Sequence, residues 1–150
     1  MEFDREDAWE LLTTHTQKDH LLKHALAVEA AMRAYARRFD EDEEKWAVTG
    51  LLHDMDYEQH PTQEEHPYVG VKILEEQGYP EDVRRAVLAH APYTGVPRET
   101  KLAKALFVFG RVMGLSAHYF EEIMTQSPMR RINFAQAVYK GTPERPFPIR

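Results

Sequence analysis

Apolar residues recur along this chain at steps of three and four, the period of helices that bury one face. Between residues 19 and 39, Leu21, Ala25, Val28, Met32 and Tyr35 form one such stripe. Asp4 is placed to cap a first helix reaching about Thr16, with Asp7 three residues in, where negative charge suits the helix dipole. Asp40 with Glu43 resembles a capping box that opens a helix running to about Asp56. A loop around Pro61 follows, then a helix from about His66 to Gln77 closed by Gly78. Pro80 suits the first position of a helix to about His90. After a turn-rich stretch, Ala91 to Pro97, a helix starting at Pro97 or Arg98 is expected to reach Met113. Ser127-Pro128 and Gly141 mark the start and stop of a last helix. No convincing alternating run suggests a strand. The expected fold is all-α: one compact bundle of six or seven helices over residues 1–141, with 142–150 an extended or disordered tail holding Pro143, Pro146 and Pro148.

Length and composition narrow the function. A chain of 150 residues is one ordinary domain, large enough to build a core unaided by disulfides. With no cysteine there is no thiolate metal site, and a reducing, cytoplasmic location is expected. No apolar run is long enough to cross a bilayer, and the acidic start Glu2–Asp7 does not have the basic-then-apolar order of a signal peptide. A formal net charge of −6 argues against general affinity for nucleic acid or an anionic membrane. The charge is unevenly spread: residues 1–97 carry 10 Lys/Arg against 21 Asp/Glu, and residues 98–150 carry 9 against 4. Two solvated faces of opposite sign explain that simply.

The histidines carry the candidate chemistry. His24 lies on the apolar stripe of its helix, so its ring points inward and needs partners for both nitrogens. His53 and Asp54 close an apolar run, Leu51-Leu52, and a buried carboxylate without donors or a cation is costly. Gly50, one turn back, would admit close approach of another helix. His66 begins one helix and His90 ends another, while His60 stands out less. Each has a plain alternative: a core histidine on a backbone carbonyl, an Asp–His hydrogen bond, a surface residue, a charge on a helix dipole. Together, four imidazoles and one carboxylate near helix boundaries suit zinc, iron, manganese or nickel better than calcium.

Leu51-Leu52-His53-Asp54-Met55-Asp56-Tyr57-Glu58 resembles the signature of the HD-domain superfamily of metal-dependent phosphohydrolases. The helix around Lys23-His24-Ala25 is similar to the upstream histidine helix of its small bacterial members. His66-Pro67 followed by Gly70 and Ile73-Leu74 resembles a third motif, and His90 falls where a further histidine is expected. The resemblance covers roughly residues 18–109. It implies one or two divalent ions (Zn, Mn, Fe, Ni or Mg), with His24, His53 and Asp54 holding the first. His66 and His90 would hold the second, with Asp54 bridging. It implies hydrolysis of a small phosphate ester or nucleotide, with Asp54 and Asp56 as catalytic residues. Asp56 would orient water or a ligating histidine.

The chain departs from the pattern where Gly110-Arg111 follows Phe109, since the resemblance places a metal-ligating Asp there. Glycine supplies no side-chain donor. This leaves two main expectations, a phosphohydrolase of reduced activity or a metal-binding pseudoenzyme acting as a binding or regulatory module. A purely structural bundle and an iron oxygenase are further readings. Lys72, Arg84 and Arg85 are candidate phosphate contacts, although solvated surface positions account for them more simply.

Overall fold

A computed structural model describes residues 2–112. Over these residues it has six α-helices and one short 3-10 turn, with no strand. The helices are α1 (Arg5–His15), α2 (Asp19–Arg38), α3 (Glu43–Leu52), α4 (Tyr68–Glu76), α5 (Glu81–Ala89) and α6 (Lys101–Val112). Pro92–Thr94 form the 3-10 turn between α5 and α6. The expected features at Ser127-Pro128, Gly141 and the 142–150 tail lie outside the described residues. Within them, no helix is long and apolar enough to cross a membrane.

Helix α2 packs along α3, and α6 lies against α2, α3 and α5. Val28, Met32, Leu51, Leu52, Met55, Leu74 and Leu106 are fully buried, so five helices and the segment after α3 contribute to one core when Val83 of α5 is included. Helices α2 and α3 approach closely at Gly50 on α3. A Cβ there would stand 2.9 Å from Met32 Cγ and 3.0 Å from the Val28 carbonyl oxygen on α2. Helix α1 is tied to α2 through a fully buried carboxylate, Glu29, whose Oε1 accepts from Arg5 Nε at 2.7 Å. Burial pushes the Glu29 pKa up, and the Arg5 and Arg33 charges only partly offset that.

Asp4 caps α1 as expected, accepting from the backbone N–H of Glu6 and Asp7. The cap of α3 is Asp42 rather than Asp40, for its carboxylate accepts from Lys45 N at 3.0 Å. Asp40 is used to end α2. It adopts φ 55°, and Glu41 N reaches back to the Ala36 carbonyl at 2.8 Å, closing the helix in a Schellman motif. Gly78 does the same for α4 at φ 81°, with Tyr79 N on the Leu74 carbonyl. Helix α4 opens at Tyr68, not His66. Helix α6 opens at Lys101, not Pro97 or Arg98, because Thr100 supplies the cap to Ala103 N.

The correction that matters most for function is at the end of α3. The helix stops at Leu52, not near Asp56, and residues 53–59 run on as tight turns. Met55 N bonds the Leu52 carbonyl and Tyr57 N the Asp54 carbonyl, both three-residue steps. This segment is held from outside. Thr16 Oγ1 donates to the Met55 carbonyl at 3.0 Å, and the Glu58 carboxylate accepts from Gln17 N and Lys18 N at the start of α2.

The Gly50 contact is testable. Gly50→Ala places a methyl against a backbone carbonyl that cannot rotate away, and overpacking of this kind costs about 1–3 kcal/mol. Urea unfolding should show a lower midpoint with an unchanged slope, despite alanine's better helix propensity.

Candidate metal centre

The five candidate ligands come from separate elements and meet at one carboxylate. His24 sits on α2, His53 and Asp54 just after α3, His66 before α4, and His90 just after α5. Asp54 Oδ2 lies 3.3 Å from His24 Nε2 and 3.2 Å from His53 Nε2. Asp54 Oδ1 lies 3.3 Å from His66 Nε2 and 3.1 Å from His90 Nε2. Each carboxylate oxygen therefore serves its own pair of imidazoles. His24 and His53 also face each other, Nε2 to Nε2, at 3.3 Å. His60 does not join them, for it pairs with Glu65 at 3.0 Å.

The other ring nitrogen of three histidines is committed elsewhere, and this fixes which nitrogen faces the centre. His53 Nδ1 lies 2.6 Å from the Gly50 carbonyl, and His90 Nδ1 bonds the Val87 carbonyl. A carbonyl can only accept, so both Nδ1 atoms carry the proton and both Nε2 atoms present lone pairs inward. His66 Nδ1 donates to Asp56 Oδ1 at 2.6 Å. Asp56 is buried, and its second oxygen accepts from Gly70 N at 2.8 Å. A Cβ on Gly70 would come within 3.0 Å of Asp56 Cγ, so glycine is what lets this carboxylate sit so close to α4.

Charge in the cluster suits cation binding. Burial raises the Asp54 pKa, but the electrostatic influence of the His53, His24 and His66 imidazoles outweighs it and holds the group well below the usual carboxylate range. Burial lowers the His53 pKa against the pull of Asp54, which favours a neutral imidazole. His66 differs. Burial works against its charge, yet hydrogen bonds to Asp54 and Asp56 prevail and raise its pKa to about 9.

Two groups of donors fit a divalent ion. His24, His53 and Asp54 form one, and Asp54, His66 and His90 the other, each with its ligand atoms within 4.8 Å of one another. In the first, the three separations are 3.3, 3.3 and 3.2 Å. Tetrahedral zinc with bonds of about 2.0–2.1 Å sets neighbouring donors about 3.3–3.4 Å apart. Neutral imidazole nitrogens with an ionised carboxylate are also the donor types zinc, iron and manganese take.

Gly110 lies on the α6 face turned to this centre. A Cβ there would stand 3.6 Å from His53 Nε2, an ordinary contact, so a longer side chain would reach the donor atoms. Of the expected phosphate contacts, Arg84 is bonded to Glu75 and to the Tyr79 carbonyl, while Lys72 and Arg85 are exposed. Three tyrosines escaped notice in the sequence. Tyr93 donates its hydroxyl to the His66 carbonyl, Tyr57 meets the His66 ring edge-on at 5.3 Å, and Tyr68 opens α4. No local pattern marks them, because they gather through three separate turns.

Two outcomes follow from His66 and its partner. In chelator, the raised His66 pKa contributes stability that is full below about pH 6.5 and lost as the pH rises through about 9. Metal entering the second group must displace that proton, so titration with manganese at pH 7.5 should release protons, read by calorimetry in buffers of different ionisation enthalpy. Asp56→Asn removes the negative charge and leaves one acceptor oxygen for two donors, His66 Nδ1–H and Gly70 N–H, and should weaken metal affinity about 10–100-fold. Unchanged proton release and affinity in that variant would contradict this role for Asp56.

The HD domain family model matches residues 21–109, more than half of the chain. Nothing among curated proteins, and nothing among solved structures, matches significantly. The matched stretch contains His24, His53, Asp54, His66 and His90 and ends immediately before Gly110. With its helical fold and its His/Asp clusters, the chain belongs to the HD superfamily of metal-dependent phosphohydrolases.

Proposed function

We propose that this protein is a metal-dependent phosphohydrolase acting on a small phosphate ester or nucleotide, with activity limited at Gly110. The observation that carries the reading is the division of Asp54 between two pairs of imidazoles. A carboxylate so placed can bridge two cations, the arrangement suited to phosphate-ester hydrolysis. His24, His53 and Asp54 would hold one ion, and His66, His90 and Asp54 a second. Bound there, divalent ions supply Lewis acidity toward a phosphoryl oxygen and an activated water. The chain's own part is orientation. Gly50 and Val87 carbonyls hold His53 and His90, and Asp56 holds His66, so these three rings need not reorganise as charge develops.

The rim supports an aromatic substrate. Tyr57, Tyr68 and Tyr93 are among the few large apolar side chains left exposed, and Tyr57 and Tyr93 both contact His66. Burial, then the negative field of Asp56 and neighbouring groups, pushes the Tyr93 phenol up, so it stays a neutral donor. Exposed rings beside a phosphate site offer stacking faces to a nucleobase.

One observation favours a second reading. Gly110 leaves the edge of the centre beside His53 without a side-chain donor, which suits a pseudoenzyme that binds metal and serves as a binding or regulatory module. Element-specific analysis of the purified protein, with hydrolysis of an aryl phosphate in added manganese, separates the two. The enzyme reading expects turnover that is lost in Asp54→Ala. It also expects both occupancy and rate to rise in Gly110→Asp, whose Cβ would make only ordinary contact with His53. Metal uptake with no turnover in either the parent chain or Gly110→Asp would establish the binding module instead.

A further inference from the structure

The centre is short of negative charge. Four imidazoles and a single carboxylate converge, so one divalent ion retains a net positive charge and two retain more. On the α6 side, this edge is lined by the bare backbone of Gly110. Apart from its chain neighbours and the backbone of α6, the described atoms within 4 Å of where its Cβ would be are His53 Nε2 and Cδ2, at 3.6 and 3.9 Å. Among the described residues, the notch at the place of the missing side chain thus lies beside a donor atom, His53 Nε2, and Gly110 adds no side-chain donor there.

Helix α6 and its flank also carry cations. Arg111 follows Gly110, and its guanidinium lies 5.3 Å from the Phe107 ring, one helical turn back on the same face. Arg98 stands over that ring at 3.9 Å and is tethered by Nη1 to the Ala89 carbonyl, next to His90. Two guanidiniums thus bracket one ring of the helix that carries the notch. Among the described residues, α6 itself contributes Lys101, Lys104 and Arg111 and no acidic side chain.

We propose that the notch at Gly110 binds one small free carboxylate, of formate size, which supplies the anionic donor absent from this edge of the metal centre. The inference rests on the reading of His24, His53 and Asp54 as metal donors. The positive charge of a bound ion would draw the anion in. The absence of a side chain at residue 110 is what would give a flat carboxylate room beside His53, where a bulkier acid with added methyl groups would have less. Metal and carboxylate should therefore bind cooperatively, each tightening the other by the same factor.

The test is metal titration of the full chain with zinc, followed by competition against a chromogenic chelator. Sodium formate is compared with sodium chloride at equal ionic strength. With formate at about ten times its half-effective concentration, the apparent zinc dissociation constant should fall about tenfold. Acetate should act more weakly, and pivalate, being bulky, should match chloride. Gly110→Ala fills the notch and should remove the formate effect. Gly110→Asp supplies the carboxylate internally and should bind zinc tightly with no formate dependence. Circular dichroism checks that both variants remain folded. Equal zinc affinity in formate and chloride, or an undiminished formate effect in Gly110→Ala, overturns the proposal while leaving the metal centre standing. Absence of zinc uptake in every salt overturns the metal reading and the notch with it.

Discussion

Lone pairs facing lone pairs are the constraint on which this molecule turns. Asp54 offers two anionic oxygens to four imidazole nitrogens, and at least two of those nitrogens carry no proton to place between them. Such a cluster repels itself unless positive charge enters. In the metal-free chain a proton held by His66 supplies some of it. A divalent ion supplies more, and the donor spacing in the first group already matches what tetrahedral zinc requires.

The helices meet this constraint at their ends. An α-helix leaves its last carbonyls without partners. His53 follows α3 and bonds the Gly50 carbonyl, and His90 follows α5 and bonds the Val87 carbonyl, in each case three residues back. The same arrangement used twice satisfies an orphan carbonyl and sets a ligand's tautomer. Ending α3 at Leu52 is therefore a functional feature, since it frees His53 for that bond and turns Asp54 and Asp56 toward α4 and α5. Gly50 serves both packing and site, because its closeness to α2 brings His24 within reach of Asp54. The tyrosine rim and Glu58 then hold the loop around this centre.

Much of this was legible in the residues. The stripe through Leu21 and Val28 puts His24 inward, and the apolar run before His53-Asp54 puts an acid where it needs a cation. Every α-helix among the described residues was located, α2 by its apolar period and the others by cap, proline and glycine signals, because all of these are local properties. Boundaries were less legible. Asp40 and Asp42 are both good caps, and only the left-handed closure of α2 decides between them. The early end of α3 was hidden because the side chain that stops it, His53, bonds a carbonyl that any helix end provides. Asp56 could be read as orienting water or a histidine, and its bonds to His66 and Gly70 favour the histidine. The place of Gly110 beside His53 is a tertiary fact that spacing alone could not supply.

Anomalous diffraction from crystals grown with zinc, collected on both sides of the zinc edge, tests the central claim most directly. An ion should lie about 2.0–2.2 Å from His24 Nε2, His53 Nε2 and Asp54 Oδ2, with any second ion on Asp54 Oδ1, His66 and His90. A well-occupied ion held by other residues, with Asp54 in contact with no metal, would contradict it.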